Sequence, residues 1–108
     1  MAGCKITVLK RTFHQDLVNA YKTEEAVERL TACTVFRDNQ EFMIENPWAP
    51  PEGFCPWAWA DIRQYVMTAF NGGKFPGADP ANTAIACCTD GVRPVIFKVE
   101  GVAESDEA

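Results

Sequence analysis

The segment PWAWADIRQYVMTAF, Pro56 to Phe70, is punctuated at both ends. Proline is favoured as the first helical residue, because its missing N–H would be unpaired there anyway. Asn71, Gly72 and Gly73 then supply a left-handed stop. Between these signals Ala58, Trp59, Ile62, Tyr65, Val66, Ala69 and Phe70 recur at three- and four-residue spacing, which predicts a helix with one apolar stripe. Such a helix is stable only against a second apolar surface, so the rest of the chain has to supply one.

Strand patterns supply it. Cys4 to Thr12 alternates with Ile6 and Val8 toward one face and Thr7 and Leu9 toward the other, which predicts a central strand. Gln40 to Glu45 alternates around Phe42 and Ile44 and predicts a second strand. From Thr83 to Val99 two apolar runs flank Asp90 and Gly91, a preferred dipeptide for a two-residue hairpin turn. That turn would pair Cys88 with Arg93 and Ala86 with Val95, and would send Cys87 and Cys88 to opposite faces. Pro94 cannot donate to a ladder, so its strand would be an edge or bulged there. Asp16 to Tyr21 reads as a helical turn, and Thr23 before Glu24 and Glu25 as the capped start of a short helix. NPWAPPEGF, with three prolines and a glycine, excludes regular structure and predicts an ordered loop around Trp48.

The expected fold is therefore α+β: a small, mainly antiparallel sheet with a C-terminal β-hairpin, and one main helix packed across it. With 108 residues and 47% hydrophobic content, residues 1–102 form a single domain and 103–108 an acidic, frayed tail. A core of this size leaves little stability margin, which favours a homo-oligomer.

Ten Lys and Arg against fifteen Asp and Glu give a net charge of −5, and the only basic cluster is Lys5, Lys10 and Arg11. This is the opposite of a nucleic-acid surface. No apolar run reaches the ~20 residues that cross a bilayer, and the N-terminus enters a strand pattern instead of a signal-peptide core. The expectation is a cytoplasmic protein. In that reducing compartment its five cysteines, an odd number, are thiols, core residues or metal ligands and not a disulfide framework.

Three constellations carry chemistry. Cys55 precedes Pro56 at the helix start, where unpaired N–H groups and the positive dipole end stabilise a thiolate, and the alternative is a buried cap. No resolving cysteine follows within three residues, which excludes a thioredoxin-type dithiol. Cys88 opposite Arg93 would place a guanidinium beside a second thiol and offer a clamp for an anion. The competing reading pairs Arg93 with Asp90 or Glu100 and packs Cys88 under the helix. Cys33, Cys55 and Cys88 together would be a zinc or iron site, although no C-x-x-C pair supplies ligands two at a time. On the leading reading no cofactor is required.

Trp48, Trp57 and Trp59 bracket Cys55. Trp59 falls on the apolar stripe and belongs to the core, whereas Trp48 and Trp57 are candidate walls of a pocket. Asp61 and His14 join them as candidate pocket residues, Asp61 also being accounted for by the helix dipole and His14 by a hydrogen-bonded surface position.

KITVLKRT (Lys5 to Thr12), Cys33 with Gln40-Glu41-Phe42, PEGFCPWAWADI (Pro51 to Ile62), Gly72-Gly73 and CCTDGVRPVIFKVE (Cys87 to Glu100) together span nearly the whole chain. In these motifs the chain resembles a family of short bacterial and archaeal proteins. The resemblance brings no activity with it, but it marks Cys33, Cys55, Cys88 and Arg93. Asn39 stands where the family pattern has glycine before Gln40, which puts the local turn conformation in question.

The reading that results is a cysteine-centred site that binds or transforms a small molecule. The alternatives are a soft-metal protein, or an accessory module whose Trp48 loop meets a partner protein.

Overall fold

The structure is a computed structural model that describes residues 3–102; the expected acidic tail lies outside the described residues. Seven elements follow one another: β1 (Gly3–Arg11), α1 (Gln15–Tyr21), α2 (Glu24–Arg29), β2 (Glu41–Ile44), α3 (Pro56–Phe70), β3 (Thr83–Cys87) and β4 (Val95–Val102). The strands form one sheet in the order β2-β1-β4-β3, with every neighbouring pair antiparallel. A small α+β fold is what the patterning predicts.

Alternation decides the faces. Cys4, Ile6 and Val8 of β1, Ala84 and Ala86 of β3, and Val95, Phe97 and Val99 of β4 all point to the side on which α3 lies. The helix meets that side with Ala58, Trp59, Ile62, Val66 and Ala69, all buried. Complete burial of Ile62 and Val66 contributes about 1.5–3 kcal/mol each. Trp59 is core, as its place on the stripe implies. At the far end of α3, β4 approaches so closely that a Cβ on Gly101 would sit 2.8 Å from the Ala69 carbonyl oxygen, so only glycine fits.

An aromatic cluster closes the other end of the core. Phe36 stands edge-on to Phe54 and Phe97, with ring centroids 5.0 and 5.2 Å away, and is 2% exposed. Asn39 takes the left-handed φ of 66°. Asparagine is among the few residues that tolerate this conformation, so the turn survives without glycine. Its N–H donates to the Val8 carbonyl at 2.8 Å and docks the entrance of β2 on β1. Thr23 caps α2, its Oγ1 accepting from the Ala26 N–H at 3.2 Å.

The hairpin differs from expectation. Ala86 pairs with Phe97 and Cys87 with Ile96, and the Cys88 N–H donates to the Val95 carbonyl at 3.1 Å. The register is thus shifted by two from the one a two-residue Asp90-Gly91 turn would set, and residues 89–94 form a longer loop. Asp90 is the cause: its Oδ1 accepts from the Val92 and Arg93 N–H groups, each at 3.1 Å, which holds a side-chain-capped loop in place of a tight turn. The face assignment is unaffected, since a shift of two preserves a period of two. β4 is central and not an edge, and Pro94 lies before it, where its missing N–H breaks no rung between β3 and β4.

Candidate functional site

Above the N-terminus of α3, three distant stretches of the chain line an open cavity of about 480 Å³. Cys33 comes from the segment after α2, Cys55 from the start of α3, and Cys88, Asp90 and Arg93 from the loop between β3 and β4. Val35, Phe36, Ala58 and Val95 give it apolar walls, and Trp57 closes one side.

Each thiol is positioned by its own device. Cys55 is the N-cap of α3 in an extended conformation (φ −64°, ψ 125°), and its sulfur makes no capping hydrogen bond. Its carbonyl accepts the first intrahelical bond, from the Trp59 N–H at 2.9 Å. Cys88 Sγ accepts from the Val95 N–H at 3.3 Å, which fixes the side chain toward the core side of the sheet. Cys33 is tied from outside: Arg11 Nη1 donates to its carbonyl oxygen at 2.9 Å while Arg11 Nε holds Asp38 at 2.9 Å. One guanidinium at the end of β1 thereby anchors a cavity wall. The Asp38 hydrogen bond is also the main reason the Arg11 guanidinium holds its proton even more firmly than usual.

Cys87 is the exception. It is exposed on the opposite face, its Sγ donates to the Cys88 carbonyl at 3.0 Å, and partial burial, with smaller effects from Cys88 and Asp61, pushes its thiol up. Of the vicinal pair, Cys88 is the one that faces the cavity.

Arg93 reaches the cavity from the loop and not from a strand position opposite Cys88. Its Nε donates to Asp90 Oδ2 at 3.1 Å. Partial burial raises the Asp90 carboxyl, and the Arg93 and Val92 N–H groups with the Arg93 guanidinium more than reverse this, holding it below the usual carboxylate range. Asp90 therefore stays ionised at neutral pH. Because only Nε is engaged among the described residues, the terminal nitrogens of Arg93 still present a fork to an anion.

The rim is latched by a residue that strand logic passes over. Thr89 donates both its N–H (2.7 Å) and its Oγ1 (3.0 Å) to Asp61 Oδ2, and Trp57 Nε1 donates to Thr89 Oγ1 at 2.7 Å. Asp61 lies beyond the first turn of α3 and serves as this anchor, so the helix-dipole explanation is replaced by a specific one. Trp57 is 66% exposed, yet its ring is held as a wall. Asp61→Ala is expected to cost about 1–3 kcal/mol, the range for losing hydrogen bonds to a charged group. Urea unfolding would measure the loss, and faster exchange of the Thr89 amide would place it at the latch.

Three residues expected in the pocket do not line it. Asp61 acts through Thr89. Trp48 is 78% exposed in the proline-rich loop and does not line the cavity. His14 stands at the N-cap of α1, where its backbone N–H donates to the Val92 carbonyl at 2.8 Å. Arg11, Thr89, Val35 and Phe36 are the residues that sequence reasoning did not single out for the site. Arg11 was visible only as part of a basic cluster.

Among the described residues, no three His, Cys, Asp or Glu side chains are gathered closely enough to hold a metal ion. The three cavity thiols share a space without forming a ligand set. No helix among the described residues is long and apolar enough to cross a membrane. Comparison with protein-family models, curated proteins and solved structures gives no match.

Proposed function

We propose that the cavity is a cysteine-centred site for a small molecule that carries an anionic group, in a cytoplasmic, homo-oligomeric protein. The observation that carries this reading is the meeting of Cys33, Cys55, Cys88 and Arg93, from three separate stretches of chain, around one mostly apolar space. These are also the four residues on which the motif resemblance converges. An apolar body would rest against Phe36, Val35 and Val95, and its anion would meet the Arg93 fork. Cys55, whose sulfur is not spent on capping, is the thiol placed to attack an electrophile or to contact the ligand directly; Cys33 and Cys88 flank it.

The test is native-state thiol titration with metal analysis of anaerobically purified protein, on the wild type and on Cys55→Ser and Cys88→Ser. Expected are cavity thiols that react in the folded protein, an initial phase lost in Cys55→Ser, and protection by small carboxylates or phosphates that disappears in Arg93→Ala. Cys33, Cys55 and Cys88 thiols that react only on global unfolding, with the exposed Cys87 alone reacting in the folded protein, would overturn the reading. Stoichiometric zinc or iron with protected thiols would replace it with the soft-metal alternative. The exposed Trp48 in its apolar loop favours one second reading, contact with a partner protein through that loop.

A further inference from the structure

The two edges of the sheet are unlike. β2 carries Glu41 within it and is followed by Glu45 and Pro47, the charges and proline by which natural edge strands repel other strands. β3 reads Thr-Ala-Ile-Ala-Cys, with no charge, proline or bulge, and its register with β4 is unbroken from Thr83 to Cys87.

The hydrogen-bond parity of β3 can be read from its two ends. The Cys88 N–H donates to Val95, and Gly101 donates to the Asn82 carbonyl, so even-numbered residues face β4. Thr83, Ile85 and Cys87 therefore turn their backbone groups outward. The Thr83 N–H is taken by the Pro80 carbonyl at 3.1 Å. Among the described residues, the Ile85 and Cys87 amides and carbonyls have no backbone partner. Ile85 is also 61% exposed, on the face away from α3.

We infer that β3 is the interface of a two-fold homodimer, pairing antiparallel with β3 of a second copy about Ile85. A two-fold makes each residue meet the one equidistant from the axis on the other copy, and in Thr-Ala-Ile-Ala-Cys these partners are matched in size, alanine against alanine and threonine against cysteine. The two-fold places Ile85 opposite its symmetry mate, Ala84 opposite Ala86, and Thr83 opposite Cys87. The outward amides of Ile85 and Cys87 then donate to the Ile85 and Thr83 carbonyls across the axis. No like charges meet along this line despite the net charge of −5. The nearest cation, Lys98 beside Ile85, is held by Glu100 of its own protomer at 3.4 Å, so the contact brings no bare pair of lysines together. A dimer would carry one continuous eight-stranded sheet, twice the four strands of the single chain, with both α3 helices on one side. This goes beyond the cavity and does not rest on what the cavity binds.

Sedimentation of the full chain over a range of concentrations tests it, together with amide exchange. The wild type is expected at twice the 12.0 kDa of one chain, with the Ile85 and Cys87 amides protected in the dimer. Ile85→Lys is expected to sediment as a monomer with an unchanged circular dichroism spectrum, and Met43→Lys on the opposite edge to remain dimeric. A monomeric wild type overturns the inference. So does a dimer in which the Ile85 and Cys87 amides exchange freely, a reading that needs no variant to fold. A dimer broken by Met43→Lys and kept by Ile85→Lys would assign the contact to β2 instead.

Discussion

Phe36→Ala is expected to destabilise the fold by about 3–5 kcal/mol, the range for deleting a large buried aromatic side chain. Phe36 belongs to no strand or helix, yet its ring is 2% exposed and stands edge-on to Phe42, Phe54 and Phe97 at 5.0 to 6.0 Å. It joins the segment after α2 to β2, to the turn before α3 and to β4. Removing the ring therefore takes contact from three neighbours at once, and the surrounding sheet is too rigid to collapse onto the void. A small domain has only about 5–15 kcal/mol in total, so the loss is a large share of it. The midpoint of urea unfolding should fall with its slope unchanged. A loss under about 1 kcal/mol would mean that the segment carrying Phe36 is not docked against these three rings.

The second large effect is alkaline. Cys4 is fully buried on β1, and burial, followed by the charge of Glu100, pushes its thiol from 9.0 up to about 12. In the unfolded chain the same thiol titrates near its ordinary value, so between these limits the unfolded state binds fewer protons than the folded one. Stability is then complete below about pH 9 and declines as pH rises toward 12. A rise of this size in the thiol's pKa is worth about 4 kcal/mol at most. Lysines and tyrosines also titrate in this window, so the difference between the wild type and Cys4→Ala isolates the contribution. Cys4→Ala is expected to be less stable at neutral pH, where it leaves a small void, and to lose stability less steeply with rising pH. Parallel curves for the two proteins would assign the alkaline slope to other groups.

What the sequence made legible, and what it hid, divides by distance along the chain. α3 runs from Pro56 to Phe70 as its proline start and Asn-Gly-Gly stop prescribe, because both signals act within a few residues. Strand faces were equally legible: Ala84, Ala86, Val95 and Phe97 share the core side even though the hairpin register moved by two. The turn itself was misread because Asp-Gly suits a tight turn, and nothing in the dipeptide says that the Asp90 carboxylate will instead cap the next backbone amides. The grouping of Cys33, Cys55, Cys88 and Arg93 was visible as a set of residue types. The residues that hold the site open were not. Arg11 reaches Cys33 across 22 positions and Asp61 reaches Thr89 across 28, and such pairs leave no local pattern.

The long-range assembly of the cavity has a thermodynamic corollary. Its walls run from Cys33 to Val95, so neither half of the chain supplies all of it, and unfolding any large part of the core removes it. A compound that occupies this space binds the native state alone and acts as a cross-brace on the entire domain. Held at a hundred times its dissociation constant, it would deepen the folding free energy by about 2.7 kcal/mol. Heat resistance of the whole molecule is thus a readout for occupancy that requires no knowledge of the reaction.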